Sequence, residues 1–323
     1  MKRFWGILML SMVVGSVSGC VLPHTATPVP TEPSKSCVGP AITIGDTSDN
    51  PNEVINDVLP LANYLAERLT AFGFKCGNVI VPDTTDKMIA LIKNKEVDIY
   101  MDSMYPALLV SDATGAQPIL RRWRNCDDEY YSVIFTTANS RITSVEDLPG
   151  HMVAMDRSYS TSGFALPAIY LLDHGLNLAV KDAFDAPVAE NEVGIYFSLD
   201  DINTLNLVLE GKVSAGATDD YYFGNWDGEA PGKLTKLAQT GSMSRQVVLV
   251  RAGLGSDLQN AIKQELATAH LNPEGLVAIE NDAQTCKFDD APGGIGSAFA
   301  QMREMHTRLK EIPGWQEAFL KGH

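Results

Sequence analysis

Two spacings of apolar residues alternate along the chain. Residues 41–45 (Ala-Ile-Thr-Ile-Gly) form an apolar run of strand length. Residues 60–69 carry apolar positions at helical spacing, with Pro60 in the first turn, where its missing N–H costs little, and Gly73 as the stop. Residues 79–81 predict a second strand, and residues 85–94 a second helix with Met88, Ile89, Leu91 and Ile92 as its apolar positions. Residues 97–101 predict a third strand. Strands alternating with helices in this way imply a parallel sheet.

A longer strand, 130–137, is followed by a short helix within 140–150, the strand 152–156 and a helix from about 162 to 174 that would bury Phe164, Ile169, Leu171 and Leu172. A helix at 201–210, a strand at 213–218 and another long strand at 246–251 complete the series. The strands 130–137 and 246–251 bracket a whole α/β unit, which predicts one domain inserted into another. Lobe 1 is then 37–138 with 246–323, lobe 2 is 139–245, and two hinge crossings leave a cleft between them. The roughly 285 residues after position 36 are enough for two domains of ordinary size.

The N-terminus follows neither rhythm. Lys2 and Arg3 precede an apolar run that closes on Val17-Ser18-Gly19-Cys20, the pattern of a bacterial lipoprotein leader. Residues 1–19 read as the signal, Cys20 as the lipid-bearing residue, and 20–36, with Pro28, Pro30 and Pro33 among Thr and Ser, as an extended tether. The expected location is therefore extracytoplasmic, anchored by lipid to a bacterial membrane. A cleaved secretory signal without lipid leaves the position of Cys20 unexplained.

Loss of Lys2 and Arg3 with the leader takes the formal net charge from −15 to −17. So acidic a surface repels phosphate backbones, which excludes nucleic acid as a partner and requires any anion site to be local. Cys37, Cys76, Cys126 and Cys286 remain, an even number in an oxidising compartment, and they predict disulfides with three possible connectivities. Their spacings include no short Cys/His cluster, so no metal site is expected.

Ser160-Thr161-Ser162-Gly163 joins the strand 152–156 to the helix that follows. Three hydroxyls on a first helical turn, beside backbone N–H groups without intrahelical partners, form a neutral cradle for an oxyanion; the plainer reading is a Ser/Thr cap. Tyr100, Tyr105, Tyr221, Tyr222 and Trp226 fall at or beyond strand ends, where open α/β sheets form binding crevices, and would clamp a quaternary ammonium or pack the lobes. Arg121, Arg122 and Arg124, with Trp123, read as a solvated positive turn or as a meeting place for an anion. Ser160 lacks a GxSxG elbow, no motif places a histidine beside it, and no HExxH, P-loop or dinucleotide fingerprint occurs, so no enzyme and no cofactor are expected.

The segments Leu61-Ala-Asn-Tyr-Leu-Ala-Glu-Arg-Leu69, Glu96-Val-Asp-Ile-Tyr100, Ser144-Val-Glu-Asp-Leu-Pro-Gly150, Ser160-Thr-Ser-Gly163 with Pro167, and Leu209-Glu-Gly-Lys-Val-Ser-Ala215 resemble the phosphate/phosphite/phosphonate-binding (PhnD-type) solute-binding proteins of ABC importers. The resemblance covers essentially the whole mature chain. It implies a type II periplasmic-binding-protein fold, α/β, with two lobes that are each a mixed, mainly parallel sheet flanked by helices. It further implies a monomer that captures a small oxyanion and delivers it to a membrane permease.

Carried onto this sequence, the ligand set is Ser160, Thr161, Ser162 and Gly163 facing Asp46, Thr47, Thr84, Asp102, Ser103 and Tyr105, with Asp201 and Asp219 on the cleft wall. Thr84 and Asp102 stand where phosphonate binders have tyrosines, and Asp201 where they have a histidine. These carboxylates leave open a zwitterionic or cationic solute, and a role in presenting a ligand to a membrane sensor kinase in place of a permease.

Overall fold

The computed structural model describes residues 38–229, 231–282 and 285–322. The expected leader, Cys20, the tether and Cys37 lie outside them. The chain opens with β1 (Ala41–Gly45), α1 (Pro51–Arg68), β2 (Cys76–Ile80), α2 (Thr85–Lys93), β3 (Ile99–Asp102), α3 (Met104–Thr114) and β4 (Gln117–Arg122). A short β5 (Glu129–Tyr130) leads into β6 (Ser132–Thr137), β7 (Met152–Met155), α4 (Leu166–Asp173), β8 (Leu178–Val180), β9 (Val193–Phe197), α5 (Asp201–Leu209), β10 (Ala215–Asp219), α6 (Asp220–Glu229) and β11 (Leu234–Gln239). The return runs through β12 (Met243–Ser244), β13 (Gln246–Val250), α7 (Ser256–Thr268), α8 (Pro273–Glu280), β14 (Phe288–Asp289), α9 (Ile295–Leu309) and α10 (Trp315–Leu320).

Two six-stranded sheets result, in the orders β14-β4-β13-β3-β1-β2 and β11-β6-β10-β7-β9-β8. In the first, β1 is parallel to β2 and β3, while β13 is antiparallel to β3 and β4. In the second, β7 is parallel to β9 and β10, and β6 is antiparallel to β10 and β11. Between the sheets, β5 and β12 pair with each other, Met243 opposite Tyr130. The two chain crossings are therefore one hydrogen-bonded ribbon.

This pairing corrects the expected lobe boundary. β6 belongs to the second sheet, so the first crossing lies at β5 and not after residue 138. An apolar run shows that a strand is buried but not which sheet it joins. The expected strand 130–137 is also broken, at Tyr131, into β5 and β6. At the C-terminus, α10 packs on β8 of the second sheet, and Trp315 Nε1 donates to the Ser158 carbonyl at 3.1 Å, so the last helix leaves the first lobe.

α1 begins nine residues earlier than expected, with Pro51 in its first turn and Pro60 inside the helix. An interior proline costs about 3 kcal/mol. Here the cost is offset by burial of Val58, Leu61, Ala62 and Leu65 over the first sheet. α3 carried no readable stripe because it is apolar around its circumference, with Met104, Tyr105, Ala107, Leu108 and Val110 all buried. The expected solvated turn at Arg121 and Arg122 is the end of β4, where both side chains are buried. Arg121 pairs with Asp128 and Asp289, and Arg122 with Asp282. A disulfide joins Cys126 to Cys286, Cα atoms 4.9 Å apart; Cys76 is also disulfide-bonded, its partner outside the described residues.

α1 lies so close to β2 that a Cβ at Gly77 would meet the Ala62 carbonyl carbon at 2.2 Å and the Asn63 nitrogen at 2.3 Å. The Gly77 N–H donates to Asn63 Oδ1 at 3.1 Å. Gly77→Ala therefore forces backbone apart and is expected to cost about 1–3 kcal/mol in denaturant unfolding. An unchanged midpoint would contradict this packing.

Candidate functional site

The carboxyl ends of β1 and β3 carry the first group of polar side chains, as the geometry of open α/β sheets leads one to expect. Asp46 follows β1 and accepts the Thr47 N–H at 2.6 Å. Thr47 Oγ1 lies 3.2 Å from the Tyr100 hydroxyl, which donates to Asp102 Oδ2 at 2.5 Å. Asp102 Oδ1 accepts the Ser103 N–H at 2.6 Å and its hydroxyl at 3.2 Å. Burial, and then the neighbouring Asp102 charge, push Asp46 up to about 7. Asp102 is raised by burial too, against the pull of the Tyr100 and Ser103 donors.

A cavity of about 490 Å³ opens at these strand ends. Asp46, Thr47, Asp102, Arg122 and Arg124 line it from the first sheet, and Tyr221, Tyr222, Arg245 and Gln246 from α6 and the second crossing; Asp282 completes the wall. Two of the three guanidiniums are already neutralised. Arg122 Nη2 donates to Asp282 Oδ1 at 2.6 Å, and Arg245 Nη1 donates to Asp219 Oδ2 at 2.9 Å. Arg245 also lies over the Tyr130 ring, 4.4 Å from its centroid. Arg124 is half-buried and makes no ion pair among the described residues. Three buried polar atoms lack a partner on residues of this wall: Arg245 Nε, Gln246 Oε1 and Asp282 Oδ2.

The hydroxyl run is built differently from the expected helix start. Residues 161–165 form one wide turn, closed by Leu166 N–H to the Thr161 carbonyl, before α4 proper begins at Leu166. Ser160 caps it, its Oγ accepting the Gly163 N–H at 3.1 Å. Gly163 is required because a Cβ there would meet Asp156 Cβ at 2.5 Å. Thr161 is buried and faces the other lobe: its Oγ1 accepts the Tyr105 N–H at 2.8 Å and donates to Ser103 Oγ at 3.0 Å. Ser132 Oγ donates to the Ser162 carbonyl at 2.6 Å. Thr161 joins the lobes, and none of these groups lines the cavity. An Arg157–Asp49 ion pair crosses at the same place.

The remaining expected residues separate. Thr84 caps α2 by accepting the Lys87 N–H. Tyr105 is fully buried, its hydroxyl 2.9 Å from His306 Nδ1. Asp219 is held by Arg245 and accepts the Tyr222 N–H at 2.8 Å. Asp201 accepts the Thr218 hydroxyl at 2.7 Å. Burial, and then Asp156, push Asp201 up to about 7. Burial raises Asp156 as well, with Arg157 and the Ser160 hydroxyl opposing the rise. Of the expected residues, the structure brings Asp46, Thr47 and Asp102 to the cavity.

Sequence reasoning missed Arg245, Gln246 and Asp282. A charged and an amide residue heading the apolar strand Gln246–Val250 was the available signal for the first two. Among the described residues, no group of three His, Cys, Asp or Glu side chains is placed to hold a metal ion, and no helix is long and apolar enough to cross a membrane.

The fold has many solved relatives. A protein from Xanthomonas citri, XAC2383, solved bound to ATP, is 21% identical over 84% of this chain and 98% of its own, with a TM-score of 0.76; its chloride-bound form gives 22% and 0.77 over the same shares. PhnD1 from Prochlorococcus marinus (MIT 9301), in complex with methylphosphonate, is 16% identical over 84% and 98%, with a TM-score of 0.61. At these identities the likeness is one of fold, and no curated protein matches the chain. The model of the ABC transporter phosphonate periplasmic substrate-binding proteins matches residues 46–290, and the chain belongs to that family.

Proposed function

We propose that this chain is the lipid-anchored solute receptor of an ABC importer, and that the cavity between its lobes captures a small oxyanion-bearing solute for delivery to the permease. The observation that carries the reading is the guanidinium of Arg124, on the wall of a cavity at the strand ends of a strongly acidic protein, with Asp46, Asp102 and Asp282 near it but no direct ion pair among the described residues. Arg245, paired with Asp219, brings a second guanidinium to the same wall. The Ser160 hydroxyl is engaged within its own lobe and the Thr161 hydroxyl across the lobes, so the guanidiniums take the anion. The Lys2–Arg3 leader and Cys20 support anchoring outside the cytoplasm.

Binding then works without chemistry on the solute. A ligand touching both lobes has more contacts in the closed arrangement, so it shifts the population toward it. The contacts Thr161–Ser103 and Arg157–Asp49 form only when the lobes meet.

Two outcomes follow. Arg124→Ala is expected to weaken a phosphonate or phosphite by about 1.5–3 kcal/mol in titration calorimetry, the usual size of a hydrogen bond to a charged group. Unchanged affinity for every oxyanion would remove Arg124 from the site. The second outcome concerns pH. Unfolded, Asp46 ionises near 3.8; folded, near 7. Between those values the folded protein holds a proton that the unfolded chain has lost, so this group lowers stability as pH rises from about 4 to 7, and the loss is complete above 7. Asp46→Asn cannot ionise. The ligand-free variant is expected to gain melting temperature over the parent at pH 8 and to lose that advantage at pH 4; an equal difference at both would contradict the burial of this carboxyl.

A further inference from the structure

The loop that carries Arg124 is held more firmly than a surface turn needs. Asp127 N–H donates to the Arg124 carbonyl at 3.1 Å, and the two residues between, Asn125 and Cys126, both have positive φ, 56° and 62°. A closed four-residue turn with two left-handed central residues has the type I′ pattern, for which Asn-Gly is a favoured pair. Asn tolerates the left-handed region, and glycine has no Cβ to clash there. Cys126, in the glycine position, carries that steric cost. Such backbone persists only where its surroundings hold it.

The surroundings do so here. Cys126 is joined to Cys286, 160 residues away, with Cα atoms 4.9 Å apart. Beside that link, Trp123 N–H donates to the Lys287 carbonyl at 3.0 Å, and Cys286 N–H to the Trp123 carbonyl at 3.1 Å. Arg121 and Lys287 both approach the Trp123 ring, 5.3 and 3.9 Å from its centroid. On the other side of the turn, the Asp128 carboxylate accepts Arg121 Nη1 at 3.0 Å and its carbonyl accepts the Arg245 N–H at 2.9 Å. Arg124 and Asn125 line the cavity, while Cys126 is exposed and stands outside its wall. The sterically costly residue is therefore next to the cavity, where it sets the backbone from which the Arg124 side chain departs.

We propose that Cys126 and Cys286 are positioning residues for the solute: their bond holds the turn in its left-handed form, and the turn fixes where the Arg124 guanidinium meets the anion. This rests on the solute-receptor reading above and adds the device that preorganises its cation. An arginine on a loose loop loses backbone and rotamer freedom when it grips an anion, whereas on a pinned turn the backbone part of that loss is met during folding. Affinity then depends on the backbone at residue 126, although that side chain points away from no other function in the cavity wall.

The test is titration calorimetry of the mature chain with methylphosphonate, phosphite and phosphate, the tightest of the three being carried into the variants. Cys126→Ser with Cys286→Ser removes the bond and leaves a residue that resists positive φ. Cys126→Gly with Cys286→Ser removes the same bond and leaves one that accepts it. Both pairs lose the stabilisation of the cross-link, so their difference in affinity reads the turn. The Ser pair is expected to bind about fivefold more weakly than wild type and the Gly pair within about twofold of it, and neither weakens binding further once Arg124→Ala is present. Should the Ser pair fail to fold, Asn125→Gly and Asn125→Val decide the matter with the disulfide intact. Both lose the same amide, and the Gly variant is expected to bind about fivefold tighter than the Val variant, whose β-branched side chain disfavours positive φ. A Ser pair as tight as wild type, a Gly pair as weak as the Ser pair, equal affinity of the two Asn125 variants, or the same loss with Arg124→Ala present would each overturn the positioning role and leave the oxyanion reading intact. Wild type binding none of the three anions overturns both.

Discussion

A carboxylate taken out of water must be paired, protonated or met by a ligand, and this molecule gathers carboxylates where its two sheets face each other. Each has a different resolution. Asp282 and Asp219 are paired with arginines, Asp156 is raised by burial and Asp201 by burial and by Asp156, and Asp46 is pushed toward neutrality beside Asp102. Desolvation falls on all of them, and only two receive a guanidinium. The region between the lobes is therefore electrostatically unfinished in the protein alone, which is the property a receptor for a charged solute requires.

The same constraint separates the hydroxyl run from the cavity. Ser160 shares its surroundings with Asp156, whose carboxyl it helps to stabilise, and its Oγ also accepts the Gly163 N–H. Thr161 is spent on Ser103 and Tyr105. An anion arriving at Ser160 would meet a buried carboxyl within the same turn, whereas at Arg124 a guanidinium stands beside the carboxyls of Asp46, Asp102 and Asp282. Thr161 is thus a lobe contact, and the guanidiniums are the cationic groups of the cavity wall.

Local signals were legible and distant partners were not. β1 could be read from end to end because its apolar run is bounded by Pro40 and Gly45, and α2 because Thr84 marks its start. α3 escaped because burial on all sides erases the helical stripe, and the beginning of α1 because Pro60 looked like a start signal. In the site, the residue types were visible but their pairing was not. Thr161 meets Ser103 across 58 residues, Arg121 meets Asp289 across 168, and Arg122 meets Asp282 across 160. Whether an arginine is a solvated turn or a cavity wall depends on such partners, and no spacing rule along the chain encodes them.

The position of the guanidiniums bears on how closure is controlled. Arg124 lies on the first crossing, between β4 and Cys126, in a segment fixed to the approach to β14 by the Cys126–Cys286 disulfide, by Trp123 N–H to the Lys287 carbonyl and by Cys286 N–H to the Trp123 carbonyl. Arg245 lies on the second crossing, and its N–H is bound to the Asp128 carbonyl of the first. Arg245 therefore sits beside the ribbon that joins the lobes, and Arg124 is tied to the first lobe. The carboxyls of Asp46 and Asp102 line the same cavity from the strand ends of one lobe, and Tyr221 and Tyr222 from a helix of the other. A solute that touches the groups of both lobes has more contacts in the closed arrangement and shifts the population toward it.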